Sequence, residues 1–286
     1  MILESQNMHL SHRVDITDSL KEENVLELRF KNAPAFAKKE MARIGYKGNG
    51  TDVHFGGPER LFVRKAQYHW GWDWGPSVNT SGPWREIWLE TFVSRVEEMV
   101  VRQEVAEDLG SAKISVKGIV VGAAADGKIV IVLNDPSGKE VLKREIDVSK
   151  DGTFSTVLKV EGDLQLWYPF TYGASPLYTI KAILQDHDEK SQKLGLRRLR
   201  LLQHELKKEP GTSFVFEINN IRIFAGGSCW IPGDYMLPRF TRERHEEWLL
   251  LAKEGNQAMV CFILYRIREM RLITVDSGMG RRNCGE

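Results

Sequence analysis

The chain has 286 residues, 42% of them apolar and 28% charged, the balance of a protein that buries a core rather than of a disordered chain. Its 40 Lys and Arg against 39 Asp and Glu leave a formal charge of +1, too weak a field to gather phosphate backbones or anionic lipid, so neither nucleic acid nor a membrane is expected as a partner. No apolar run approaches the roughly 18 residues of a membrane span, and the opening MILESQNMHLSHRVD lacks the basic and apolar regions of a signal peptide.

In chain order, the first part reads as short alternating runs: HRVDITDSL, NVLELRF, LFVRKAQYHW and WREIWLETF place β-branched and aromatic residues against polar ones, as strands do. From Arg95 the rhythm continues through KISVKGIVVGAA, KIVIVLNDPSGKEVLKREIDV, TFSTVLKV and LYTIKAILQD. NDPSG predicts a hairpin turn built on Pro136 and Gly138. Such a string of short antiparallel strands fits β-sandwiches. LGLRRLRLLQHELKKE, from Leu194, is either a basic amphipathic helix or, as preferred here, a strand followed by a solvated charged turn. SFVFEINN and IRIFAGG follow as two strands around Asn219-Asn220. A helix is then expected, with Thr241 as N-cap, Glu243 in the first turn, His245, Trp248, Leu249 and Ala252 on one face, and Gly255 at its close. Strand then helix, after two sandwiches, is how a β/α domain begins.

Cys229, Cys261 and Cys284 are odd in number and share no metal-ligand spacing, which points to a reducing compartment rather than to disulfides or zinc. The sequons Asn49-Gly50-Thr51 and Asn79-Thr80-Ser81 would matter only in a secreted protein.

Five of the eight tryptophans lie within QYHWGWDWGPSVNTSGPWREIWLE: Trp70, Trp72, Trp74, Trp84 and Trp88. An indole face offers a platform for the C–H side of a sugar ring, and a carboxylate beside it accepts hydrogen bonds from hydroxyls; Trp72-Asp73-Trp74 has both parts. Alternate aromatics on a strand can equally fill a core. Gly71, Gly75 and Pro76 interrupt a regular strand and favour a shaped loop. His69 is the one histidine inside this cluster. GGSCWIPGDYMLPRFT, Gly226 to Thr241, would lie at the end of the first strand of a β/α domain, where such folds build sites, with Trp230 and Asp234 as candidates. Gly- and Pro-rich loops are also ordinary there. LQLWYPFTYGASPLYTIKA is expected to pack a domain junction and carries no assigned chemistry. The sequence has no nucleophile elbow, phosphate-cradling loop or His-x-x-x-His pair.

RLFVRKAQYHWGWDWGP with TSGPWREIWLE, then LQLWYPFTYGASPLYTI, then GGSCWIPGDYMLPRFT, together resemble the β-mannosidases of glycoside hydrolase family 2, in order from about Met8 to Val260. The resemblance implies a partial galactose-binding-like β-sandwich over 1–94, an immunoglobulin-like β-sandwich over 95–197, and over 198–286 the start of a catalytic (β/α)8 TIM barrel. It also implies retaining hydrolysis of terminal, non-reducing β-D-mannose from β-mannosides by two glutamates about 5 Å apart, without metal or cofactor. Trp72 and Asp73 would contact the terminal mannose, and Trp74, Trp230 and Asp234 would complete the substrate site.

The departures matter as much. Asn-Glu, which carries the family's acid/base, occurs nowhere, and far fewer residues follow Arg197 than the about 250 of a whole barrel. Early strands of the first sandwich are missing, which would leave unpaired edges. Cys229 stands where the family usually has Asn, and CFILYRIREMRLITVDSGMG reads as though a stretch were skipped after Val260. No catalytic residue is therefore assigned, and the chain is expected to be a fragment inactive alone. Its alternatives are a noncatalytic carbohydrate-binding fragment or a defective gene product. The GGS form of the loop and the lack of a leader resemble the intracellular fungal type, so a cytoplasmic location is expected.

Overall fold

The structure, a computed structural model, describes residues 1–46, 56–122 and 127–262 and divides into two compact units. One takes in Met1–Ile87, Ser228–Ala252 and the chain from Val260; the other takes in Trp88–Gly227 and Lys253–Met259. The sequon at Asn49, the last thiol Cys284 and most of CFILYRIREMRLITVDSGMG lie outside the described residues.

The second unit holds two antiparallel sheets around one core. Strands β1 (Ser94–Val105), β2 (Ser111–Gly122), β3 (Lys128–Asn134), β4 (Glu140–Asp147), β5 (Thr153–Glu161), β6 (Tyr178–Leu184) and β7 (Asp188–Leu194) arrange as β1-β2-β5 and β4-β3-β6-β7. Alternation decides the inward faces: on β5 every second residue, from Phe154 to Val160, is buried, and on β6 every second residue from Tyr178 to Leu184. Ile114, Val116 and Leu158 meet Ile129, Ile131, Leu133 and Ile180 between the sheets, all with essentially no solvent exposure. The strands expected from Arg95 to Asp186 are present, including the hairpin at NDPSG, where the Asp135 carboxylate accepts from the Ser137 and Lys139 backbone N–H groups.

Both open sides of the sandwich are stitched by side chains that reach backbone. Asp188 on β7 accepts from the Val96 N–H at 2.8 Å, and Lys190 donates to the Glu97 carbonyl at 2.8 Å. Across the other side Arg144 on β4 donates to the Val157 carbonyl at 2.9 Å. The strand β7, DEKSQKL, has no apolar periodicity to betray it; it is an edge strand whose residues mostly face solvent. Gly118 on β2 is required by close approach, since a Cβ there would lie 2.2 Å from the Glu98 carbonyl oxygen and 2.3 Å from the Phe154 ring.

A three-stranded sheet, β8 (Leu199–Leu202), β9 (Val215–Ile218) and β10 (Ile221–Ile223), follows in the order β10-β9-β8. LGLRRLRLLQHELKKE therefore opens as a strand and not as a helix. Asn219 and Asn220 form the β9–β10 turn at φ 48° and 64°, a left-handed backbone that Asn tolerates. Asn219 is buried and bonds in two directions: its Oδ1 accepts from the Arg198 N–H at 2.9 Å and its Nδ2 donates to the Trp167 carbonyl at 3.0 Å. Asn220 accepts from the Arg198 guanidinium and donates to the Glu107 carbonyl. These bonds tie the small sheet to the sandwich within one unit.

Strand β11 (Gly227–Trp230), helix α2 (Arg242–Glu254) and strand β12 (Met259–Phe262) come in strand–helix–strand order, with β11 and β12 paired. At the start of helix α2, Thr241 Oγ1 accepts from the Arg244 N–H. Its C-terminal left-handed residue is Asn256 at φ 55°, one position beyond the glycine expected to close it.

The first unit departs from expectation. None of the described residues 1–93 forms an extended ladder strand: Thr17–Ser19, Pro58–Phe62 and Gln67–Trp70 are 3-10 turns, and NVLELRF and WREIWLETF have no ladder partner. Alternation provides a face, but a strand persists only where its backbone N–H and C=O groups are paired and its apolar face is covered. Val25, Trp88 and Leu89 are largely exposed here. An unexpected helix, α1 (Ala33–Ile44), precedes the tryptophan cluster. Its signals were in the sequence: Asn32 caps by accepting from the Ala35 N–H at 3.0 Å, Pro34 lies in the first turn, and Gly45 ends it at φ 70°. Among the described residues no helix is long and apolar enough to cross a membrane.

Replacing Asn219 by Ala strands the Arg198 N–H and the Trp167 carbonyl and leaves in the left-handed region a residue without the polar side chain that makes Asn tolerant of it. The expected loss is about 2–4 kcal/mol in denaturant unfolding, of which Asn219→Gly, free at that φ, recovers only about 1 kcal/mol.

Candidate functional site

The tryptophan cluster is built by a sequence of tight turns. Gln67–Trp70 makes one 3-10 turn and buries Tyr68, His69 and Trp70; Gly71, at φ 103°, then redirects the chain. The Trp72 N–H donates to the Gly75 carbonyl at 3.0 Å and the Gly75 N–H to the Trp72 carbonyl at 3.1 Å. Asp73 and Trp74 thus occupy the tip of a closed two-residue turn. Asp73 is exposed, and its carboxylate has no hydrogen-bond or ion-pair partner among the described residues.

The flanking indoles are half-buried. The guanidinium of Arg60 lies 5.9 Å from the Trp72 ring centroid. Trp74 packs against Tyr68 at 5.8 Å and against Tyr235 at 6.1 Å. Tyr68 and Tyr235 meet edge to face at 5.5 Å. Tyr68 also meets His69 edge to face at 4.6 Å.

His69 is fully buried, and neither ring nitrogen finds a hydrogen bond of good geometry. Burial first, then the nearby charge of Lys65, hold its pKa down at about 4; the Tyr235 backbone works weakly the other way, and His9 adds to the depression. Burial also lowers Lys65 to about 8, and its ammonium donates to the Thr80 carbonyl at 2.6 Å. His69 is therefore a neutral core imidazole at physiological pH. The Trp70 Nε1 and the Tyr235 hydroxyl are likewise buried without a partner.

The remaining candidates fall into two other settings of the same unit. Asp234 is half-buried and its carboxylate is engaged: it accepts from the Met236 N–H at 2.7 Å and from both Nε and an η nitrogen of Arg239 at 2.8 and 2.9 Å. Burial opposes ionisation, yet these donors hold its pKa below the usual carboxylate range. Trp230 stacks on His245 at 6.1 Å and packs with Trp248 at 5.5 Å and Phe240 at 6.3 Å, while the His245 Nδ1 lies 2.8 Å from the Thr241 carbonyl. Cys229 is exposed and free.

Trp72, Asp73 and Trp74 come together by chain proximity. The residue after Asp234, Tyr235, packs on Trp74, whereas Trp230 belongs to the cluster on α2. Sequence reasoning missed Tyr235 and Arg239, although both lie in GDYMLPRF beside a named candidate. Among the described residues no group of three His, Cys, Asp or Glu is placed to hold a metal ion.

Comparison with known proteins places these features in a class. Residues 1–85 match the family described as the glycosyl hydrolase 2 galactose-binding domain-like domain. The chain is 40% identical over 264 residues to β-mannosidase B of Thermothelomyces thermophilus, an alignment covering 91% of this chain and 30% of that protein. With β-mannosidase B of Neosartorya fischeri the identity is 38%, over 91% of this chain and 31% of the relative. The crystal structure of a β-D-mannosidase from Dictyoglomus thermophilum superposes with a TM-score of 0.78 at 30% identity, over 91% of this chain and 32% of that one. The chain is thus similar to these β-mannosidases and spans about 30% of their length.

The buried neutral His69 gives a signed pH dependence. Its folded pKa of about 4 lies below the ordinary 6.5 of the unfolded chain, so its contribution is full above about pH 6.5 and is lost as the pH falls toward 4. The expected loss is at most roughly 3 kcal/mol. Thermal unfolding across this range should show a shallower fall for His69→Gln than for the native chain.

Proposed function

We propose that this chain is part of a β-mannosidase-type glycoside hydrolase that removes terminal, non-reducing β-D-mannose from β-mannosides with retention. Within it the chain supplies binding groups rather than the catalytic pair. The observation that carries this reading is Asp73, held at the exposed tip of the Trp72–Gly75 turn between two indoles with its carboxylate unengaged. Such a carboxylate accepts hydrogen bonds from adjacent sugar hydroxyls, and an indole beside it covers the apolar face of the ring. The relatives' name, β-mannosidase, supports mannose as that sugar.

In this proposal 1–94 is a partial sugar-binding domain, 95–197 an immunoglobulin-like sandwich and 198–286 the beginning of a barrel. The two antiparallel sheets, and the order β11–α2–β12, support the last two assignments. Trp230 forms an aromatic wall with Phe240 and Trp248, and Asp234 serves by fixing Arg239. The chemistry needs two carboxylates about 5 Å apart, one nucleophile and one acid/base, and no metal. The sequence offers no Asn-Glu pair for that role, so hydrolysis is not expected of this chain by itself. Its exposed free thiols, Cys229 and Cys261, suit a reducing, cytoplasmic compartment.

A second reading, a noncatalytic carbohydrate-binding segment, is favoured by the same unengaged Asp73. Two measurements separate the possibilities. Incubation of the purified chain with an aryl β-mannoside should give no turnover, and turnover would move the catalytic carboxylates onto this chain. Titration with β-mannobiose, followed by tryptophan fluorescence, should saturate and should weaken at least tenfold in Asp73→Ala, the loss of about 1.4 kcal/mol expected of a hydrogen bond to a charged group. A response unchanged in that variant would rule out the assigned role of Asp73.

A further inference from the structure

One ring reaches the Trp72–Gly75 turn from far along the chain. Tyr235 packs edge to face on Tyr68, tilted on Trp74 at 6.1 Å and tilted on His69 at 6.3 Å. Its hydroxyl is buried and makes no hydrogen bond, so its place there rests on packing by the ring. A Cβ added to Gly75 would lie 2.1 Å from the Tyr235 hydroxyl oxygen and 2.7 Å from its Cε2. The backbone of Gly75 is outside the left-handed region, so it would accept any residue. Glycine is demanded there by the tyrosine and not by the turn. Next to it, Asp234 is pinned by the Met236 N–H and by Arg239, which fixes the loop that carries the ring.

Trp74 and Gly75 are two of the four residues of the turn that presents Asp73. Resting on the reading that this turn binds a terminal mannose, we infer that Tyr235 is a positioning residue for it. Its ring sets the angle at which Trp72, Asp73 and Trp74 are offered to the sugar. The ring acts by shape, on a loop held by the Asp234–Arg239 pair. A ring wedged between Tyr68, His69 and Trp74 leaves the turn one arrangement, whereas without it the indole of Trp74 loses one of its two aromatic neighbours in this cluster.

The test is titration of the full 286-residue chain with β-mannobiose, read by tryptophan fluorescence, alongside thermal unfolding of each variant. Tyr235→Ala should weaken binding roughly tenfold, about the worth of its lost contact with Trp74. Tyr235→Phe keeps the ring and should restore binding. Gly75→Ala should weaken binding to a similar extent by displacing Tyr235. The double variant Gly75→Ala/Tyr235→Ala should bind no worse than Tyr235→Ala alone, because the added methyl then fills space the ring has vacated. Independent, multiplying losses in the double variant would overturn the inference, as would native affinity in Tyr235→Ala. Equal losses in Tyr235→Phe and Tyr235→Ala would also overturn it, by giving the role to the hydroxyl. If Tyr235→Ala no longer unfolds cooperatively, Gly75→Ala against Tyr235→Phe decides: loss in the first with retention in the second upholds the inference, and retention in both refutes it. A native chain that shows no saturable response fails the binding reading itself, and the inference falls with it.

Discussion

Pairing of ladder groups is the constraint on which this structure turns. A segment with the right alternation stays extended only when a neighbour accepts its N–H groups and covers its apolar face. Between Ser94 and Leu194 each strand has such a neighbour, and the two inward faces meet in a layer of Ile, Val and Leu that excludes water. Each buried side chain of that size contributes on the order of 1.5–3 kcal/mol. The same alternation in NVLELRF and WREIWLETF meets no partner, and those residues remain open and largely exposed.

Polar side chains then do what the apolar layer does not. The layer is non-directional and holds two sheets together without fixing their edges. Asp188 and Lys190 on one side and Arg144 on the other bond to the backbone of the opposing sheet, which fixes the register between them. Asn219 performs the same task for the small sheet, satisfying two buried backbone groups from a left-handed turn. Bonds of this kind add little net free energy when made, but their loss strands a buried partner.

The candidate site combines both kinds of control. Aromatic packing around Tyr68 sets the turn, and backbone bonds between Trp72 and Gly75 close it, so the one unengaged carboxylate of the turn stands at its tip. Asp234 illustrates the contrast. Both carboxylates belong to motifs of the same family resemblance, yet Asp234 is occupied by Arg239 and organises its loop, whereas Asp73 stands exposed with no partner among the described residues.

The sequence by itself determined the strands from Arg95 onward, the hairpin at NDPSG, the turn at Asn219-Asn220 and helix α2, because alternation, turn residues and caps are local signals. It also pointed to a shaped loop around Trp72-Asp73-Trp74, through Gly71, Gly75 and Pro76, which the structure closes as a tight turn. Helix α1 was legible too, in Asn32, Pro34 and Gly45, but the expectation of a sandwich hid it. Tertiary structure alone decided the rest. Whether NVLELRF is a strand depends on a partner that the segment does not contain, and β7 has no apolar pattern because an edge strand needs none. The packing of Tyr235 on Trp74 joins residues some 160 positions apart. No local spacing encodes such a contact, and the reason Gly75 must be glycine is found only where the tyrosine ring fills the space of its missing side chain.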